Sequence, residues 1–515
     1  GAGWKTRSLA PGASVEIRVD AAPLLAARGN DVNALDVHVQ AVGDANQVDV
    51  VRLNTKAAFT PLPEIRRRNF DAGGIYLASV ANEGNVVDRF VLTAPAGFNG
   101  WKVHYFDAEH GGHDITAAVT GAGWVTPKLA PKAEQPFRVE IQTAAGEVRS
   151  VTVTAKSQAD GKASDFSKFS TQAAKKGPKF FIIGVWSQPT YNFDKWKRRG
   201  INTLMKYEGL SGSVSLDNWI AAANSKGFYQ IREERDDPAL DKNERLLLAW
   251  TANDEPDIYS QYHQTLKPDY EYFKAADPDR PVVINFAGSM VNGWHATPLK
   301  RRDYETMLPY MDCVSNGVYP VTGWDRPQHL DGPARALDRL QNWSEGKPQL
   351  QIIESGDQQL TWNPARLRSA TREEFKAEMW DSIIHGAQGI LYFPFAFQPR
   401  FSFDNTSGPI EQEMIAQHKR INDISKVLVS PIDPPALGLN MSAPLEGTWR
   451  QVGNKKYFIV MNFSAKPLRA AKIGFVGAGK GGTVSVRGES RSLAMTRGSI
   501  SDNFGAYETH IYEVG

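Results

Sequence analysis

The spacing of apolar residues changes twice along the chain and divides it into three stretches. From the N-terminus to about residue 172, apolar and polar residues alternate, as in Val15-Ile17-Val19 and Val151-Val153. A period of two predicts half-buried strands. From Phe180 the pattern is a short apolar run, a loop and a helical stretch, repeated. FFIIGVW (180–186) is continuous, as expected of a strand buried on both faces. INTLMKY, FYQI, RLLLAW (245–250), RPVVINFAG (280–288), MDCVSNGVYPV (311–321), KPQLQIIES (347–355) and GILYFPF (389–395) follow. The helix before the last run is marked by a Thr371/Glu374 capping box and by Phe375, Met379 and Ile383 on one face. Eight βα units in about 250 residues predict a TIM barrel. After a Pro-rich hinge, SPIDPP, strand patterns return in KKYFIVMNFS, AKIGFV, TVSVRG and ETHIYEV.

The first stretch contains a repeat. Gly1-Ala2-Gly3-Trp4 recurs as Gly121-Ala122-Gly123-Trp124, and residues 37–55 parallel residues 151–171. The second copy has an additional upstream half, from Gly74 to Thr120. TPLPEIRRRNF (60–70) and STQAAKKGPK (170–179) read as linkers. The expected organisation is a partial β-sandwich module at 1–58, an immunoglobulin-like β-sandwich at 70–172, a (β/α)8 barrel at 178–429 and a C-terminal antiparallel β-sandwich at 430–515.

Composition removes several function classes. A net charge of +2, with both signs interspersed, leaves no footprint for nucleic acid. There is no run of about 18 apolar residues, hence no expected membrane span. One cysteine, Cys313, excludes an internal disulfide and reads as a small buried hydrophobe. The histidines form no H-E-x-x-H cluster, and neither a metal nor an organic cofactor is expected. The run 477–482 fits G-x-G-x-x-G, but a strand pattern follows it, so it reads as a hairpin turn. There is no G-x-S-x-G elbow. Thirteen Trp suit both core filling and sugar stacking. Oligomeric state is not legible.

The chemistry is carried by two acidic motifs. TANDEPD (251–257) follows the fourth candidate strand, and ESGD (354–357) begins at the end of the seventh. Active sites of TIM barrels lie at the C-terminal strand ends. Two carboxyl groups converging there suit glycosidic cleavage, in which one protonates the leaving oxygen and the other attacks or stabilises the oxocarbenium-like centre. Lys206, Arg232 and Asn285 are polar residues near the same mouth. Trp186 and the strand-eight aromatics Tyr392, Phe393 and Phe395 are candidates for a sugar floor, and Trp324 and Trp362 for outer subsites.

The pattern resembles clan A glycoside hydrolases, on Asp254-Glu255-Pro256 after strand four and Ile353-Glu354-Ser355 after strand seven. The resemblance covers roughly 180–430. It implies a retaining enzyme acting on a β-D- or α-L-linked oligo- or polysaccharide, with Glu255 as acid/base and Glu354 as nucleophile. It further implies that Tyr319, after strand six, hydrogen-bonds the nucleophile. The clan usually has Asn before the acid/base; this chain has Asp254, with Asn253 as a possible stand-in for the contact to the sugar 2-hydroxyl. The same barrel also serves a transglycosylase, or a catalytically silent carbohydrate-binding scaffold. The N-terminal modules resemble the immunoglobulin-like NEW3 domains of bacterial polysaccharide-degrading enzymes. No signal peptide is present in this chain, and the resemblance implies an exported protein, extracellular or periplasmic.

Overall fold

The computed structural model describes residues 4–17, 19, 28–70, 73–97, 100–144, 147–172, 177–209, 214–358 and 368–515. The first repeat copy is an antiparallel hairpin, Val32–Ala41 with Asp44–Lys56. The equivalent hairpin of the second copy, Ser150–Ser157 with Ser164–Ser170, lies inside a complete sandwich. That sandwich has two four-stranded antiparallel sheets. Its core includes Tyr76, Val80, Phe90, Phe137, Val139, Val153 and Phe169.

One expected linker is not a linker. Pro63–Arg67, within 60–70, is an edge strand paired with Ile75–Asn82. In the fold Arg66 is paired with Glu64, Glu83 and Glu134, and Arg67 is buried. Of the acids around Arg66, Glu64 is on the same strand, but Glu83 and Glu134 come from farther along the chain.

The eight apolar runs form a closed parallel barrel. Its strands are β1 (Ile182–Trp186), β2 (Thr203–Met205), β3 (Tyr229–Arg232), β4 (Leu247–Thr251), β5 (Val282–Ala287), β6 (Cys313–Gly317), β7 (Gln349–Glu354) and β8 (Gly389–Phe393). Alternate residues face inward. Ile182, Met205, Ile231, Ala249, Val283, Cys313, Leu350, Ile352 and Leu391 fill the interior. Their neighbours Ile183, Leu204, Ile353 and Ile390 pack outward against helices. Three helices matter below: α1 (Gly332–Trp343), α2 (Arg372–Ile384) and α3 (Gly408–Asp423). The capping box of α2 is formed as the sequence predicts.

The C-terminal region is one eight-stranded antiparallel sheet curled around Leu437, Trp449, Phe458, Phe475 and Tyr512. The glycine run 477–480 joins two strands that are not hydrogen-bonded neighbours, so it is a crossover rather than a hairpin turn. None of the helices among the described residues is long and apolar enough to cross a membrane.

Candidate active site

Strand β4 ends at Thr251 and the chain turns sharply through Asp254-Glu255-Pro256-Asp257. Glu255 has φ +51°, a left-handed conformation that costs a non-glycine residue energy. The turn is held from both sides. The Glu255 amide donates to the Asn285 carbonyl at 2.9 Å, and the Glu255 carbonyl accepts from the Ile258 and Tyr259 amides. Such over-determination of a strained residue is typical of functional sites.

The acids around Glu255 are layered. Asp254 accepts from Asn285 Nδ2 at 2.9 Å, and Asn285 Oδ1 accepts from Ser315 Oγ at 3.0 Å, so β5 and β6 fix its carboxylate. Asp257 is buried and accepts from the Ala287 amide (3.1 Å) and the Tyr304 hydroxyl (2.9 Å). Burial first, and then the charges of Asp254 and Asp257, push the Glu255 carboxyl up to about 8; Lys206 opposes this. Burial pushes Asp257 up to about 7 and raises Asp254 as well. Near neutral pH Glu255 therefore holds its proton, as a general acid must.

Lys206, itself at φ +68°, places Nζ 3.9 Å from Glu233 and 5.6 Å from the centre of the Trp186 ring. Trp186 closes the top of the interior core beside Met205 and Phe395. Tyr319 stacks on Phe393, with ring centres 5.1 Å apart. Burial raises its phenol, and the negative charges of Glu255, Asp254 and Glu354 raise it further. The fold thus gathers Asp254, Glu255, Asn285, Lys206, Trp186 and Tyr319 around one mouth. Asn253 is exposed beside them. Trp324 is farther out, half-buried edge-on against His295 (4.9 Å) and Trp294 (6.0 Å). Trp362 lies outside the described residues.

Glu354 ends β7 opposite Phe393 of β8, but its carboxylate is closed in. Oε1 accepts from the Val321 amide at 2.7 Å; Oε2 accepts from the Thr322 amide and hydroxyl, both at 2.6 Å. Behind it stands Glu378 of α2, fully buried. Burial and the charge of Glu354 drive Glu378 upward, so the proton of this pair belongs to Glu378, which donates it toward Glu354. Glu354 is itself 0% exposed, whereas Glu255 is partly open. The expected bond from Tyr319 to Glu354 is not made, because loop amides two and three residues farther on occupy both carboxylate oxygens.

Two other expected contacts are also absent. Arg232 leaves β3 on the outer side, as the alternation with inward Ile231 requires. It is fully buried, with its guanidinium forked onto Asp241 at 2.7 and 3.0 Å and bonded to Gln230 and the Glu233 carbonyl. Tyr392 also points outward: it stacks on Phe375 of α2 and bonds His418 of α3 at 2.8 Å. Its neighbour Phe393 takes the inward place and leads a cluster of Phe395, Phe397, Phe401 and Phe403, of which Phe397 and Phe401 are exposed. Sequence reasoning places Phe393 and Phe395 at the sugar floor but misses Glu378 and the rest of this wall, Phe397, Phe401 and Phe403. Glu378 carried a signal, since it sits at i+3 from Phe375 on the apolar stripe of α2.

The beta-galactosidase family of glycoside hydrolases (Glyco_hydro_42) matches residues 247–430, a span from β4 to the hinge after α3 that includes both Glu255 and Glu354. No curated protein matches the sequence. Among solved structures, a cyclomaltodextrinase is similar at 8% identity and a TM-score of 0.47, covering 87% of this chain and 98% of its own. The glycoside hydrolase family 30 xylanase Xyn30A of Clostridium acetobutylicum is similar at 12% identity and a TM-score of 0.36, covering 66% of this chain and 97% of its own. A family 30 endoxylanase of Clostridium papyrosolvens C71 gives 13% identity and 0.37, covering 67% and 98%. Identities and scores at this level add no weight to the assignment, which rests on the family match and the closed barrel. Residues 247–430 are thus similar to a glycoside hydrolase family, within a closed parallel barrel of eight strands.

Proposed function

We propose that this enzyme cleaves a β-D- or α-L-linked oligo- or polysaccharide with retention of configuration, with Glu255 as acid/base and Glu354 as nucleophile. The observation that carries this reading is Glu255: a partly open carboxyl at the barrel mouth, held protonated to about pH 8 by burial and by Asp254 and Asp257. In the first step Glu255 gives its proton to the leaving oxygen while Glu354 attacks the anomeric carbon. Glu255, now a base, then takes a proton from the water that hydrolyses the glycosyl-enzyme. Support for Glu354 comes from its place at the end of β7, and from Glu378, which takes the proton of the pair and leaves Glu354 the ionised member. For attack, the 320–322 segment must withdraw its two amides as substrate enters. Lys206, Asn285 and Tyr319 are then the groups that contact the sugar. A screen on aryl glycosides and polysaccharides tests the activity, and a 2-fluoroglycoside tests the nucleophile by labelling the peptide that contains Glu354. If Glu255→Gln and Glu354→Gln both keep full activity, the assignment fails.

One observation favours a second reading, the enclosure of Glu354 against the openness of Asp254. In that reading Asp254 steadies a neighbouring group of the sugar that attacks its own anomeric carbon, while Glu255 remains the acid. Under it, Glu354→Gln stays active, no Glu354 peptide is labelled, and Asp254→Asn is the damaging change.

A further inference from the structure

A second cluster of ionisable groups lies at the C-terminal end of α2. Asp381 and His385 sit one helical turn apart there, and Glu446 reaches them from the C-terminal strand Leu445–Val452. One atom from each, His385 Nε2, a carboxylate oxygen of Asp381 and one of Glu446, lie within 4.8 Å of one another. On the other edge of the imidazole, Nδ1 faces both oxygens of Asp338 on α1, at 2.9 and 3.0 Å. The cluster borders a small cavity of ≈ 40 Å³ between the N-terminal sandwich, the barrel and the C-terminal sheet, lined by Arg66, Arg68, Asp338, His385 and Asp433 among others.

We propose that Asp381, His385 and Glu446 bind one Zn²⁺ ion that fastens the barrel to the C-terminal sheet. Three features point to a metal. First, the distances differ across the ring. The Nδ1 contacts with Asp338 have the length of charge-assisted hydrogen bonds, about 2.7–2.9 Å. Nε2 stands 3.3 Å from Glu446 and 3.5 Å from Asp381. Those are long for such bonds, but they match the edge of a ligand tetrahedron around an ion with bonds of about 2.0–2.1 Å, which is about 3.3 Å. Second, Asp381 is 1% exposed, and its Oδ1 accepts no hydrogen bond of ordinary length, with Nε2 facing it only at 3.5 Å. A buried carboxylate oxygen left in that state is costly unless a cation meets it. Third, the cluster is rich in acids, whose charge a dication would offset. Three carboxylates surround one imidazole, and Arg66, 3.8 Å from Asp338, is shared with Glu64, Glu83 and Glu134. With Nδ1–H donated to Asp338, neutral Nε2 and two carboxylates form a ligand set for Zn²⁺, and Asp338 takes the part of the carboxylate that orients a ligating histidine. The cavity supplies the water for a fourth position.

This inference is independent of the glycosidase chemistry and is read without activity. The purified full chain is stripped with a chelator and titrated calorimetrically with ZnCl₂, then with CoCl₂ while the visible spectrum is followed. One equivalent of Zn²⁺, a rise in Tm that grows with free Zn²⁺, and intense Co²⁺ d–d bands are expected. Glu446→Gln, at a partly exposed position, and Asp381→Asn should each remove that equivalent, and Asp338→Asn should weaken it about 10–100-fold. Absence of one-to-one binding by the stripped wild-type chain, or binding unchanged in the Glu446→Gln/Asp381→Asn double variant, overturns the site. An Nε2 with no bound metal would then be a protonated member of an ion-pair network.

Discussion

Glu255 and Glu354 close two strands of one barrel, yet their surroundings are nearly opposite. Burial pushes both carboxyl groups upward. Around Glu255 the next influences are the acids Asp254 and Asp257, which add to that push. Around Glu354 they are donors, namely Glu378, Thr322 and the Val321 and Thr322 amides, which oppose it. The same residue type at equivalent strand ends is thereby set up for two different tasks, one to carry a proton and the other to be free of it. Access separates them too: Glu255 is partly open at the mouth, and Glu354 is sealed under residues 320–322. Strand position chooses where a carboxylate stands, and its neighbours choose what it can do.

The largest effect that would break this contrast is on activity. Glu255→Gln is expected to lower kcat/KM by about 10²–10⁴-fold on substrates with poor leaving groups, and far less on aryl glycosides whose leaving group needs no proton. Comparing the two substrate classes checks the role as acid. Glu354→Gln is expected to abolish labelling by a 2-fluoroglycoside and to lower kcat on both classes, because attack precedes either fate. A second, structural cost belongs to Glu354 alone. A glutamine amide set against the Val321 or Thr322 N–H leaves a buried donor unpaired, costing about 1–3 kcal/mol and visible as a lower Tm.

Next in size is a pH effect with a fixed sign. The Glu255 carboxyl titrates near 8 in the fold, against 4.5 for its ordinary value. Between these values the folded chain holds a proton that the unfolded chain has lost, so this group withdraws stability as pH rises from about 4.5 to 8 and is level above that. Glu255→Gln removes the group. The Tm of the variant relative to wild type should therefore climb from pH 5 to pH 8, as measured by calorimetry. In activity, wild-type kcat/KM should fall on the alkaline side with an apparent pKa near 8. Asp254→Asn should move that limb to lower pH, but only partly, since burial outweighs the Asp254 charge. A limb unmoved by Asp254→Asn would mean that the two acids do not face each other across the mouth.

Much of this was legible from residue order because it depends on repetition. The eight apolar runs closed into the barrel, and the capping box of α2 formed on Thr371 and Glu374. The turn 254–257 and the end of β7 were found because motif and strand end coincided. What sequence left out is the direction of single side chains near strand ends and the partners of buried charges. Arg232 looked like a polar residue at the rim, but its parity with Gln230 puts it on the helix side, where Asp241 receives it. Arg66 falls in an expected linker because two of its partners, Glu83 and Glu134, come from 17 and 68 residues away. Glu354 stood where expected, but the amides that enclose it belong to the loop after β6, and nothing in ESGD announces them.

The smallest expected effect sharpens the same contrast one residue farther along, at β8. Tyr392 and Phe393 are adjacent and point to opposite sides of the wall. Tyr392→Phe deletes the hydroxyl that meets His418 Nε2 at 2.8 Å, in a buried place away from the mouth. Its cost is that of one buried hydrogen bond, about 0.5–1.5 kcal/mol, read as a modest fall in Tm, with kcat and KM unchanged. Phe393→Ala, by contrast, removes the ring that stacks on Tyr319 and leads the aromatic wall, so KM should rise together with the loss of packing. A catalytic defect in Tyr392→Phe, or normal kinetics in Phe393→Ala, would reverse the inward and outward faces of β8 and with them the placing of Glu354 opposite Phe393.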